Sequence, residues 1–321
     1  MDFLANYFSS LNPMSFLSAL PGNIAQGIIW GLMGLGVFLT FKLLNFADLS
    51  VDGSFATGGA VTAVMLIKGC PVWATIIVAI LAGLAAGLVT GLLHTLLGIP
   101  DILAGILTQI ALYSINLNIM GKSNLPISYR NYTLVVSASN INMAILVGLG
   151  ICAVVVAAMY WYFGTEQGST IRSTGSNPAM SKAQGININF TKVIALALSN
   201  GLVALSGSLF AQYQGFADIN MGRGAIVIGL AAVIIGEVLG EAIFRKRMNF
   251  IIRMLFVIVG GILYYIAMGI VLWLKMPTDD TKLFTAIIVA IFLAVPYLQK
   301  KRKTSFKKVA KMNAKNAQKE G

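Results

Sequence analysis

The sequence predicts an all-α polytopic membrane protein of about nine transmembrane helices, some of them broken, arranged as an inverted internal repeat. Three observations carry this. Of 321 residues, 57% are hydrophobic and only 11% charged, against about 25% charged in a soluble domain. That charge cannot coat a globular surface, so lipid must be the solvent for most of the chain. Apolar runs approaching bilayer length recur along the sequence. Finally, IAQGIIWGLMGLGVFLTFKLLNFAD at 24–48 returns 170 positions later as IALALSNGLVALSGSLFAQYQGFAD at 194–218, with nine of 25 positions identical. Both copies end in Phe-Ala-Asp, and in each an apolar helix runs into a polar, glycine-bearing break, a common construction in transporters.

In chain order, residues 1–22 read as an interfacial segment anchored by Phe3, Tyr7, Phe8 and Phe16. No basic n-region or small-residue cleavage site marks a signal peptide there. A transmembrane domain follows over 23–298, with candidate spans near 24–41, 54–67, 72–97, 102–120, 143–163, 193–212, 224–244, 249–274 and 283–298. The second is short and polar at its start, the expected form of a broken helix. The repeat halves cover about 24–165 and 194–298, separated by a loop at 166–192, and a basic tail occupies 299–321.

Charge sets an orientation. Nine of the 23 basic residues lie between Lys300 and Lys319. With this tail in the cytoplasm, inner segments hold 17 basic residues and outer ones six. The Arg245-Lys246-Arg247 cluster is the best internal witness. The first copy then runs outside to inside and the second inside to outside. A polar tail without interleaved aromatics does not suit nucleic acid, despite a net charge of +12.

Glycines spaced by four residues form stripes at Gly27 and Gly31, at Gly83, Gly87 and Gly91, and at Gly236 and Gly240. Such stripes let helices approach closely in lipid. Cys70 and Cys152 make no framework. His94, the single histidine, reads as a packed or interfacial residue, because a metal site needs several donors. No metal or cofactor is expected.

Several polar groups lie between or within apolar segments, where membrane depth would penalise them. The first break, NFADLSVDGS, brings Asn45, Phe46, Asp48, Asp52 and Ser54 between apolar helices. Asp48 and Asp52 either face a cavity or partner, or reach cytoplasmic water; Asp52 or Ser54 is a candidate cap for the following helix. In the fourth span Gln109, Tyr113 and Asn116 share one helical face, as a water-filled path or an interhelical contact would require. Asp218 closes the second repeat. Glu237 is deep enough to touch a path, whereas Glu241 precedes Arg245 by four, an ion-pair spacing.

In the 166–192 loop, Asn177 caps a short helix starting at Pro178 and stopping at Gly185. Such an element is either a docking site for a partner or an ordinary connection. No G-x-x-x-x-G-K-[ST] motif is present, so ATP is not hydrolysed by this chain alone. One histidine and scattered carboxylates supply no enzyme site.

The loop at 173–186, STGSNPAMSKAQGI, resembles the A-T-G-x-N-x-x-A-A-x-x-x-G-I segment of ABC importer permeases of the branched-chain amino acid and ribose type. The break NFADLSVDGSFATGGAV and the segment GAIVIGLAAVIIGE at 224–237 are similar to that family's glycine-bearing segments. The resemblance extends over about 27–298 and is nearest the amino acid permeases linked to tryptophan or tyrosine uptake. It implies a non-enzymatic membrane subunit moving a small polar solute by alternating access in the bacterial plasma membrane. It also implies a second permease copy, cytoplasmic ATPase subunits and an external solute-binding protein or lipoprotein as partners. The ATPase-coupling element would hold Arg172, Gly175, Asn177, Pro178, Ala183, Gly185 and Ile186. The chain departs from the sugar branch at Asp52 and from the branched-chain branch at Asp48. The rival reading is an ion-coupled secondary transporter using Asp48, Asp52 or Glu237.

Overall fold

A backbone in lipid finds no water to bond, so a spanning segment satisfies its own N–H and C=O groups as a helix. The computed structural model describes residues 13–129, 132–244, 248–275, 283–292 and 294. Phe3, Tyr7, Phe8, Arg130, the Arg245-Lys246-Arg247 cluster, Lys282 and the basic tail lie outside them.

Helix α1 (Pro13–Val37) ends in a π-helical turn, Phe38–Leu43. It runs unbroken past residue 22, so the described part of the expected interfacial segment is the first turns of a long helix. There follow α2 (Val51–Ile67), α3 (Val72–Thr95), α4 (Asp101–Met120), strand β1 (Asn124–Pro126) and α5 (Ile141–Gly164). Short helices α6 (Glu166–Ser176) and α7 (Pro178–Ala183) lead to α8 (Ile188–Gln214), strand β2 (Phe216–Asp218), α9 (Ala225–Phe244) and α10 (Phe250–Trp273). A further apolar helix, α11, spans Leu283–Phe292. Among the described residues seven helices are long and apolar enough to cross a membrane, and α2 and α11 are shorter apolar ones. The first eight candidate spans each overlap one of these helices, and the ninth, expected at 283–298, overlaps α11, with residues 293 and 295–298 outside the described ones.

The repeat is visible in the packing. Helices α1 and α8 are the most buried of the long ones and cross antiparallel. The Ser199 hydroxyl donates to the Gly36 carbonyl at 2.8 Å, and the Ser206 hydroxyl to the Ile29 carbonyl at 2.7 Å. An offset of 170 carries Ile29 onto Ser199 and Gly36 onto Ser206, so the repeat operation exchanges these two bonds. Each half also reaches across to the other: α3 packs along α8 as α10 packs along α1, and α2 on α8 as α9 on α1. Trp30, Phe55 and Phe210 fill the crossing, with the Trp30 ring 4.8 Å from Phe55 and 5.3 Å from Phe210.

The glycine stripes are where backbones touch. A Cβ on Gly83 or Gly87 would meet the carbonyl of Asn200 or Leu196 on α8. One on Gly31 would lie 2.9 Å from the Ile258 Cα on α10, and one on Gly236 would meet the Phe256 carbonyl. Contact of this kind holds helices together where lipid is as apolar as the helix face.

The Phe-Ala-Asp corners explain their own recurrence. Asp48 accepts the Ser50 backbone N–H at 2.9 Å, and Asp218 accepts that of Asn220 at 2.7 Å. Each is an Asx turn, in which a short carboxylate two residues back substitutes for a ladder bond and reverses the chain. The Asp218 corner lies at the C-terminal end of α8, and the Asp48 corner is tucked against its N-terminal half, where Asp48 meets Asn200. Phe46 stacks edge-on against His94, 5.0 Å between centroids, and His94 Nε2 is 3.0 Å from Lys192 Nζ at the start of α8. At the far end β2 pairs antiparallel with β1, Asn124 opposite Asp218.

Candidate functional site

After each corner the chain turns back into the bundle and starts a new helix, α2 or α9. The two starts meet. Gly222, the repeat mate of Asp52, is so close that a Cβ there would strike the Asp52 carbonyl. Asp52 sits in the first turn of α2. It caps neither its own helix nor its own loop, which corrects the expected cap: its carboxylate accepts the N–H groups of Gly224 and Ile226, each at 2.9 Å. A carboxylate thus satisfies the orphan donors of the opposite half and complements its helix dipole. Ser54 is also no cap; it is buried, and its hydroxyl has no hydrogen-bond partner among the described residues.

In front of this meeting point lies a cavity of about 280 Å³ lined by Asp52, Gly53, Ala56, Gln109, Ile110, Tyr113, Asn116, Ile219 and Arg223. Gly53 lets α4 come close: a Cβ there would lie 3.1 Å from the Gln109 Cα. The polar face of α4 therefore points at the two helix starts. Asn116 is 0% exposed, and both its amide nitrogen and oxygen lack a hydrogen-bond partner within the described chain. The exposed Arg223 guanidinium stands 6.0 Å from the Tyr113 ring centroid. Arg223 escaped the sequence reading, where it counted only as a loop charge. Its position immediately before the glycine-flanked start of α9 was the available signal.

The remaining candidates separate from this cavity. Asp48, 2% exposed, accepts from the Ser50 hydroxyl and from Asn200 Nδ2 at 2.7 Å, so it faces a partner rather than water. Asn200, a lone amide on an apolar helix, was missed. Asp48→Ala should cost about 1–3 kcal/mol by removing the buried acceptor of the Ser50 N–H and of one Asn200 amide hydrogen. Thermal unfolding of the solubilised protein measures it, with Asp48→Asn expected to lose less. Asn45 is exposed with φ 55°, a left-handed position that asparagine tolerates, and Phe46 is buried against His94. Asp218 lies at the β1 end, its other oxygen 3.4 Å from Asn124 Nδ2. Glu237 is no free path carboxylate: it pairs with Lys42 at 2.8 Å and Arg253 at 3.7 Å, joining α9 to the turn that ends α1 and to the first turn of α10. The Arg245 expected beside Glu241 lies outside the described residues. Asp48, Asp52 and Glu237, the carboxylates of the ion-carrier alternative, each have partners within the chain.

The loop between the halves folds into an elbow. Thr165 caps α6, and Asn177 caps α7 by accepting the Met180 N–H at 3.1 Å, with Pro178 in the first turn. The stop at Gly185 has φ +82°, as the sequence predicts for a glycine terminator. Residues 176–180 and 182–185, including Ala183, are exposed, and Ile186 is half-buried. Arg172 projects over the Phe250 ring at 5.9 Å. Gly175 is the seat: a Cβ there would strike the Leu43 carbonyl, at the end of the π-helical turn just before the first break.

Comparison with known proteins accords with this architecture. Residues 22–296 match the family described as branched-chain amino acid transport system / permease component. The chain is 42% identical to a tyrosine transport system permease protein of Clostridioides difficile over 93% of this chain and 99% of that one. It is 26% identical to the D-allose transport system permease protein AlsC of Escherichia coli, over 80% and 77% of the two chains. Among solved structures, PsaBC from Streptococcus pneumoniae in complex with Fab superposes with a TM-score of 0.51, covering 91% of this chain and 94% of that chain at 16% identity, a likeness of fold. With an all-α polytopic fold, an inverted repeat and a family match over nearly its whole length, the chain belongs to the branched-chain amino acid type of ABC transporter permeases.

Proposed function

We propose that the chain is the membrane subunit of an importer for an amino acid, working by alternating access and driven by cytoplasmic ATPases docked on α6 and α7. The observation that carries this reading is the seat of Gly175 on Leu43. A push on the exposed elbow passes to Leu43, then through the break at 44–50 to Asp48 and Asn200, and through α2 to the Asp52 cap on α9. A motor below can thereby re-aim both helix starts beside the cavity. The tyrosine-transport relative favours an amino acid as solute, delivered by an external solute-binding lipoprotein. A second copy is placed against α4, whose exposed side combines Leu103, Leu107 and Ile110 with the cavity-lining Tyr113. The proposed setting is a bacterial plasma membrane with the C-terminus in the cytoplasm.

The test is uptake of labelled L-tyrosine by proteoliposomes holding the permease with its co-purifying ATPase. Transport should require ATP and vanish when the phosphate-binding lysine of the ATPase is replaced. Uptake driven by an ion gradient without the ATPase would overturn the reading.

A further inference from the structure

We propose that the cavity between α2, α4 and the start of α9 is a binding subsite for a zwitterionic α-amino acid whose side chain ends in a hydroxyl group. This rests on the importer reading and adds where, and by which atoms, the solute is held. The unsatisfied Asn116 amide is the strongest pointer. A buried amide with neither donor nor acceptor answered is costly, and this one lies in the wall of a cavity. A hydroxyl can donate to its oxygen and accept from its nitrogen, whereas an apolar side chain answers neither.

The rest of the cavity carries charge. Arg223 forms no ion pair among the described residues, and its five N–H donors suit a carboxylate. Asp52 already accepts two N–H groups from the start of α9, yet a carboxylate has about four lone-pair sites. It retains capacity for an ammonium group beside Gln109. Gln109 and Asn116 are seven residues apart, about 10 Å along the helix axis. Arg223, 6.0 Å from the Tyr113 ring, stands between them, so an amino acid with its ammonium at Asp52 and its carboxylate at Arg223 can turn its side-chain tip toward Asn116. Tyr113, Ile110 and Ile219 supply wall between the two polar ends. A volume of about 280 Å³ lies near the low end of small-molecule pockets, ~300 Å³, and leaves no room for a peptide.

The experiment measures binding of L-tyrosine, L-phenylalanine and tyramine to the purified full-length chain in nanodiscs, with ATP-dependent uptake by the whole complex in parallel. L-tyrosine should bind better than L-phenylalanine. Arg223→Gln, an exposed position where folding is not at risk, should weaken L-tyrosine about tenfold or more, the scale of one charged hydrogen bond. Tyramine, lacking the carboxylate, should be unaffected by it. Asn116→Leu should erase the preference for tyrosine over phenylalanine. No tyrosine binding by the unaltered chain, or equal losses for tyrosine and tyramine in Arg223→Gln, would overturn the subsite. If uptake by the unaltered complex persists under that result, the importer reading stands without it. If no amino acid is taken up at all, both fall.

Discussion

Gly175→Val is expected to lower ATP-driven uptake by about tenfold or more, the usual scale of coupling between distant sites, while the chain still inserts and folds. The added side chain has nowhere to go, because even a Cβ would meet the Leu43 carbonyl. The elbow must lift away from the π-helical turn. It remains a capped pair of helices, since Thr165 and Asn177 still answer their N–H groups. What is lost is contact with the segment that leads to Asp48 and Asp52. ATPase activity of the complex should persist while transport falls, a separation that a general folding defect would not produce. Rates of hydrolysis and of uptake on one preparation check it, and a parallel loss of both would argue against mechanical coupling through this seat.

Gly87→Leu is expected to have the opposite character, loss of the folded chain itself. A Cβ at Gly87 would run into the Leu196 carbonyl and lie 2.8 Å from the Ala197 Cα. Both are backbone atoms that cannot rotate aside. Overpacking costs typically about 1–3 kcal/mol where side chains can yield, and here α3 and α8 must separate along a whole stripe. Membrane expression and monodispersity in detergent should fall together. Gly150→Leu on α5, where an added Cβ meets nothing within 4 Å, should leave both unchanged.

The readable part of this molecule was local chemistry. The Phe-Ala-Asp corner repeated because each aspartate closes its own turn two residues on. Asn177, Pro178 and Gly185 announced a short capped helix for the same reason. The stripe Gln109, Tyr113 and Asn116 followed from helical periodicity alone. What escaped was every partner brought in by tertiary folding. Asp52 looked like a cap for its own helix, yet the donors it serves belong to residues 224 and 226. Glu237 looked free because its cations, Lys42 and Arg253, come from two other helices. Asp48 looked able to reach water because nothing near it in sequence marked Asn200 as its partner. The inverted repeat brings Gly222 against its own mate, Asp52.

Two antiparallel copies of one unit should present the exposed residues beside their corners, Asn45 and Phe216, at opposite membrane faces. Single cysteines at Asn45 and Phe216, both exposed, in a chain lacking Cys70 and Cys152, test it with a membrane-impermeant thiol reagent on intact cells. The account predicts labelling of the residue-216 variant from outside, and of the residue-45 variant only after the membrane is opened. Labelling of both from the same side would contradict it.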